Sequence, residues 1–186
     1  MSRGPLPRTT AWRGVARCVV TSLAMLGRRE VHQPLGNVGR VVWFADGTAG
    51  RVYRETAVDR APESPCFLVV SFRLRWVHGR GHEWFRRESI LNTPLFVGFP
   101  GFVSKLWLAH DSHGTYRGLY DWDGSERAER YVRSLWRVLE LVSVPGSIDY
   151  RVLPGLRRDR VLADLDGLDR YAPAETEAWW RVVAAA

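Results

Sequence analysis

Lysine is all but absent from this sequence: among 27 basic residues only Lys105 is lysine, and the others are arginine. A bias spread over every other basic position reflects overall composition, and no function is drawn from it. Cysteine is as scarce. Cys18 and Cys66 make no disulfide framework and match no metal or redox spacing, which points to a reducing, cytoplasmic setting. Long apolar runs are missing too: the stretch from Cys18 to Leu26 is nine residues, where a spanning helix needs roughly 20, so no membrane segment is expected. An arginine-rich flank precedes that stretch as in a signal-peptide n-region, but no small-x-small cleavage site follows it. A disordered extension, or a start at Met25, explains it more simply. Acidic residues are absent from the first 29 positions, which hold six arginines, and those six account for all but about +1 of the formal charge of +7. The remainder is near neutral, and no nucleic-acid partner is expected.

Recognisable catalytic signatures are missing as well. Gly79 and Gly81 lack the strand-to-helix glycine pattern and the downstream acid of a dinucleotide site, and no serine sits in a nucleophile elbow. The pairs His78/His82 and His110/His113 have tolerable metal spacings but no carboxylate or cysteine cluster with them. Neither a metal nor a cofactor is expected.

What is present reads as one domain of 186 residues with appendages. Residues 1–36 form a basic, disordered extension with a possible short helix over 10–26. Residues 37–60 hold two β-rich runs around Asp46-Gly47, a first hairpin. The core spans 64–156. It opens with Cys66, Leu68, Val70, Phe72, Leu74 and Trp76 at alternate positions, a long strand with one apolar face. A short amphipathic helix is expected over 82–93, ended by Pro94. Residues 102–109 and 115–122 then form a β-hairpin about the polar turn 110–114, with Tyr116, Gly118, Tyr120 and Trp122 on one packed face. Asp123 is placed as an N-cap with Glu126 completing a capping box, and Ala128, Tyr131, Val132, Leu135, Leu139 and Val142 follow at helical spacing until Pro145 and Gly146. Ile148, Tyr150 and Val152 make a last strand, and 157–186 is an extension with a short docking helix from about Ala174. The order β-α-β-β-α-β predicts an α+β fold, a ferredoxin-like antiparallel sheet with both helices on one face and the N-terminal hairpin added.

Apolar residues also stand on the opposite strand face: Phe67, Val69, Val103, Trp107 and Leu119. A second subunit is the expected cover, giving a homodimer, with the N-terminal hairpin as its competitor. Pro100, Gly101, Phe102, Lys105 and Trp107 form the run PGF-x-x-K-x-W. With the aromatic next strand, the helix start SERAERY and the closing strand, this run resembles the YdhR-type monooxygenases of the dimeric α+β barrel superfamily across residues 66–156. The resemblance implies a dimeric barrel with a pocket between sheet and helices in each subunit, and relatives that include cofactor-independent oxygenases of aromatic substrates. It carries over no catalytic set residue by residue.

Such chemistry needs a base and a group that stabilises the resulting anion. The residues themselves offer His82 and Tyr120 as catalytic candidates and Trp84, Lys105, Trp107, Tyr116 and Arg117 as binders of a small-molecule substrate, with Lys105 or Arg117 facing the anion. Strand alternation places Lys105, Trp107, Arg117 and Leu119 toward a second subunit, and Tyr116 and Tyr120 toward the helices. The expected function is a small-molecule-binding barrel protein acting as a cofactor-independent monooxygenase on an apolar or aromatic substrate. Its rival is a non-catalytic binding or interaction module on the same scaffold.

Overall fold

The computed structural model describes residues 4–75, 93–172 and 178–186. In chain order its elements are α1 (Arg8–Gly27), β1 (Val31–His32), β2 (Val41–Phe44), β3 (Ala49–Val58), β4 (Pro65–Arg73), β5 (Phe102–Leu108), β6 (Thr115–Asp123), α2 (Ser125–Val142), β7 (Asp149–Pro154), α3 (Arg158–Ala163), α4 (Asp166–Tyr171) and β8 (Val182–Ala185). The strands pair antiparallel into one curled eight-stranded sheet, a half-barrel, in the order β7-β4-β6-β5-β3-β2-β8, with β1 set beside β3. No helix among the described residues is long and apolar enough to cross a membrane.

β4 sits inside the sheet, between β6 and β7, because both of its faces are apolar. Cys66, Leu68 and Val70 point into one core cluster, and Phe67 and Val69 into another. A strand buried on both faces reads as a continuous apolar run and requires a cover on each side. On the first side α1 and α2 pack through Val15, Cys18, Tyr131, Val132 and Leu135. On the second, Val161 and Leu162 of α3, Leu168 of α4, Trp180, and Val42, Phe44 and Val52 of the first hairpin close the cluster. Each large side chain withdrawn from water in this way contributes about 1.5–3 kcal/mol.

The ferredoxin-like expectation is thereby corrected. Its four strands form as β4 to β7, but the sheet continues through β3, β2 and β8, and helices lie on both of its faces. The apolar face expected to receive a second subunit is covered by the chain's own hairpin and C-terminal segment. The expected helix over 82–93 falls outside the described residues apart from Thr93. Residues 178–186 form a turn and strand β8 where a docking helix was expected, while 173–177 lie outside the described residues. Of the adjacent tryptophans, Trp180 is buried and Trp179 half-buried.

Two local details depart from the sequence pattern. The N-terminal segment, set outside the core because of its charge, supplies α1. That helix docks by Ser22, whose Oγ donates to Pro94 O (2.9 Å) and accepts from Gly98 N–H (2.7 Å). Asp123 does not cap α2. Its carboxylate accepts from the backbone N–H groups of Glu63 (3.0 Å) and Ser64 (2.8 Å) and pairs with Arg127 (2.9 Å), tying the 58–65 linker to the end of β6.

A break in the β5–β6 register decides the site. Phe102 pairs with Trp122 but Ser104 with Asp121, so one residue of β5 is left over. Such a bulge shifts the alternation by one and reverses which face every later side chain occupies. Phe102, Lys105 and Trp107 therefore share a face, and Leu106 and Leu108 take the other.

Candidate functional site

Between the sheet and α2 lies a cavity of about 410 Å3, within the range of roughly 300–1,000 Å3 seen for small-molecule sites. Val70 and Phe72 of β4, Lys105 and Trp107 of β5 and Tyr120 of β6 form its floor. Leu135, Val138 and Leu139 come down from α2, and Leu95 and Phe96 close one side. Leu141 and Val142, both exposed, stand where the wall reaches solvent.

Among the described residues the wall is apolar except for the Lys105 amine and the Tyr120 hydroxyl. Lys105 is buried, and its Nζ lies 3.2 Å from the Trp107 ring centroid, 4.6 Å from that of Phe96 and 4.9 Å from that of Tyr120. Among the described residues no hydrogen bond or ion pair reaches it. Burial, and then the nearby Arg54 charge, hold the Lys105 amine well below the ordinary value of 10.5. Trp107 is fixed by Nε1 donating to Thr56 Oγ1 (3.1 Å), and Arg54 Cζ lies 4.0 Å from its ring centroid. Tyr131 Oη donates to Tyr120 Oη at 3.1 Å. Burial is the main cause that pushes both phenols up, so both keep their protons at neutral pH.

The depressed lysine carries a pH signature. Between its lowered folded value and 10.5 the unfolded chain binds more protons than the folded one, so stability rises with pH over that interval and levels off above it. Lys105→Met removes the group and the slope. Urea midpoints measured from neutral to alkaline pH should climb for the wild type relative to Lys105→Met; parallel curves would mean an ordinary ammonium at this position.

Of the residues singled out by sequence, Lys105, Trp107 and Tyr120 meet at the cavity. The expectation that Lys105 and Trp107 lie opposite Tyr120 is overturned by the bulge in β5. Tyr116 lies on the cavity's side of β6 but one pair further along, stacked on Phe72 (centroids 5.8 Å) and beside His110 (5.5 Å). Arg117 is on the other face, bonded to Asp46 (2.6 Å) and Asp111 (2.8 Å) with Phe44 under its guanidinium. Asp111 also accepts the backbone N–H groups of His113 and Thr115, so Arg117 ties the 110–114 turn to the first hairpin. His82 and Trp84 lie outside the described residues.

The site also uses residues that sequence reasoning passed over. Phe96 follows a proline in a stretch without periodicity, and Arg54 reads as a solvated hairpin charge. The α2 contribution was visible, since Leu135 and Leu139 repeat at helical spacing. Compared with protein-family models, with curated proteins and with solved structures, the chain matches none.

Proposed function

We propose that the chain binds an apolar or aromatic small molecule between its sheet and α2, with the ligand's polar group against Lys105. The observation that carries this reading is the Lys105 amine, without a counter-ion among the described residues, in a largely apolar cavity of about 410 Å3. A core built only for stability closes such a void, since each unfilled pocket forfeits packing. The oxygenase form of the reading assigns the base to Lys105, because Tyr120 retains its proton. An uncharged amine takes a proton from an acidic C–H of the substrate, and the ammonium it becomes, with Arg54 close by, stabilises the anion toward dioxygen. A methylene substrate and one dioxygen then give a carbonyl and water: the methylene carbon supplies all four electrons that reduce dioxygen, one oxygen atom stays as the carbonyl, and the other leaves as water with the two hydrogens.

Titration with 1-anilinonaphthalene-8-sulfonate and with Nile red, an anionic and a neutral probe, tests the site. Both should bind the wild type. Val138→Trp, which fills the cavity from α2, should weaken both about tenfold while leaving the far-ultraviolet dichroism unchanged. Lys105→Met should weaken the anionic probe more than the neutral one. Absence of binding to the wild type overturns the proposal, and an anthrone-type substrate that consumes no oxygen removes its oxygenase form.

A further inference from the structure

The chain's single lysine is also the one amine in its apolar cavity. Arginine stays protonated in proteins and offers no lone pair, whereas a lysine amine can lose its proton and become a nucleophile. At this position in the cavity a lysine brings a nucleophile that a guanidinium could not supply. From this placement we propose that Lys105 forms a Schiff base with an apolar aldehyde or ketone held in the cavity. The inference rests on the reading of the cavity as a ligand site and names the class of ligand.

Three features of the geometry support the step. The amine is unoccupied, since no hydrogen bond or ion pair among the described residues reaches it. It borders open volume: Phe96, Trp107 and Tyr120 surround Nζ at 4.6, 3.2 and 4.9 Å to their centroids and line the same cavity. A phenol lines the same cavity, its ring centroid 4.9 Å from Nζ. Tyr120, the cross-strand partner of Lys105, accepts from Tyr131 Oη, which leaves its own hydroxyl proton for a ligand oxygen. Among the described residues the titratable groups near the amine are Arg54 on β3 and Tyr120 on β6, the latter bonded to Tyr131 on α2, and burial together with the Arg54 charge favours its uncharged form.

The condensation needs no co-reactant. The Nζ lone pair forms a bond to the carbonyl carbon, the carbonyl π pair moves to oxygen, and a proton passes from nitrogen to that oxygen by way of the Tyr120 hydroxyl. The carbinolamine then loses its hydroxyl group and a second nitrogen proton as one water while the C=N bond forms. One amine and one carbonyl give one imine and one water, with nothing oxidised or reduced. Apolar walls keep water scarce and slow the reverse hydrolysis.

Reductive trapping tests this directly. Full-length protein is incubated with 2-naphthaldehyde and sodium cyanoborohydride, and adducts are located by peptide mass spectrometry, with the terminal amine as the internal reference. The expected result is about one adduct per chain at Lys105, formed at least tenfold faster than at the terminal amine. Excess Nile red should suppress the Lys105 adduct, a control that needs only the wild type. Lys105→Met should abolish that adduct, and Tyr120→Phe should slow its formation about tenfold at saturating aldehyde. Nile red binding with an adduct only at the terminal amine overturns the Schiff base and leaves the ligand site standing. Loss of both binding and trapping overturns the two together.

Discussion

Glu55→Ala is expected to cost about 3–5 kcal/mol of folding free energy, the usual penalty for leaving one member of a buried ion pair without its partner. Glu55 on β3 and Arg158 at the start of α3 are both almost wholly buried, and Arg158 Nη2 donates to Glu55 Oε1 at 2.7 Å. Glu55 Oε2 also accepts from Asn37 Nδ2 at 2.8 Å, so one carboxylate links the segment before β2 to the segment after β7. Without it the guanidinium keeps, among the described residues, one ion pair, to Asp159, which is half in solvent and screened. The backbone N–H of Arg158 is anchored separately on Asp121 Oδ1 (2.7 Å), so α3 stays close and its charge stays buried. Replacing both partners, in Glu55→Met with Arg158→Met, should recover most of the loss, because apolar side chains of similar volume remove the desolvation cost. Urea denaturation measures both variants. A loss below about 1 kcal/mol for Glu55→Ala would place the pair in the class of weak surface bridges.

Gly98→Ala should be the other severe substitution. A Cβ at this position would lie 2.3 Å from Cys18 O and 2.7 Å from Ser22 N, both backbone atoms of α1 that cannot rotate away. Either α1 or the 93–100 segment must move. The movement also breaks the bond between Gly98 N–H and Ser22 Oγ and the bond that the same hydroxyl makes to Pro94 O. Overpacking together with buried polar groups left unpaired puts the expected loss at about 3 kcal/mol or more. Since Phe96 belongs to this segment and walls the cavity, Nile red affinity should fall along with the thermal midpoint. A variant as stable as the wild type would show that α1 is not held against this segment.

These two positions mark the division between what was legible and what was not. The alternation from Cys66 to Phe72 is a local property and reads directly as β4. The turn formers at 110–114 give the β5–β6 hairpin, and the apolar spacing from Ala128 to Val142 gives α2. The partners that cover these elements are remote in sequence. Glu55 meets Arg158 across 103 positions and Ser22 meets Gly98 across 76, and no local periodicity encodes either contact. The charge of the first 29 residues hid α1 in the same way. Its buried stripe of Ala11, Val15, Cys18 and Ser22 is small and weakly apolar, and it becomes visible only against α2 and the 93–100 segment.

The candidate site shows the same division within a single strand. Lys105, Trp107 and Tyr120 were recognisable as residues able to hold a small molecule, because a cation among aromatic side chains on strands has that chemistry wherever it lies. Their assembly depended on one extra residue in β5 near Val103, which turned Lys105 and Trp107 onto the face of Tyr120 and left Arg117 to its two carboxylates on the other. Composition and spacing by themselves determined the main strands, α2 and the stock of reactive groups, since those follow from the local geometry of a period of two or 3.6. Only the tertiary structure decided which groups share a cavity and which layers cover the sheet, because a one-residue shift in register reverses every later side chain at almost no local cost.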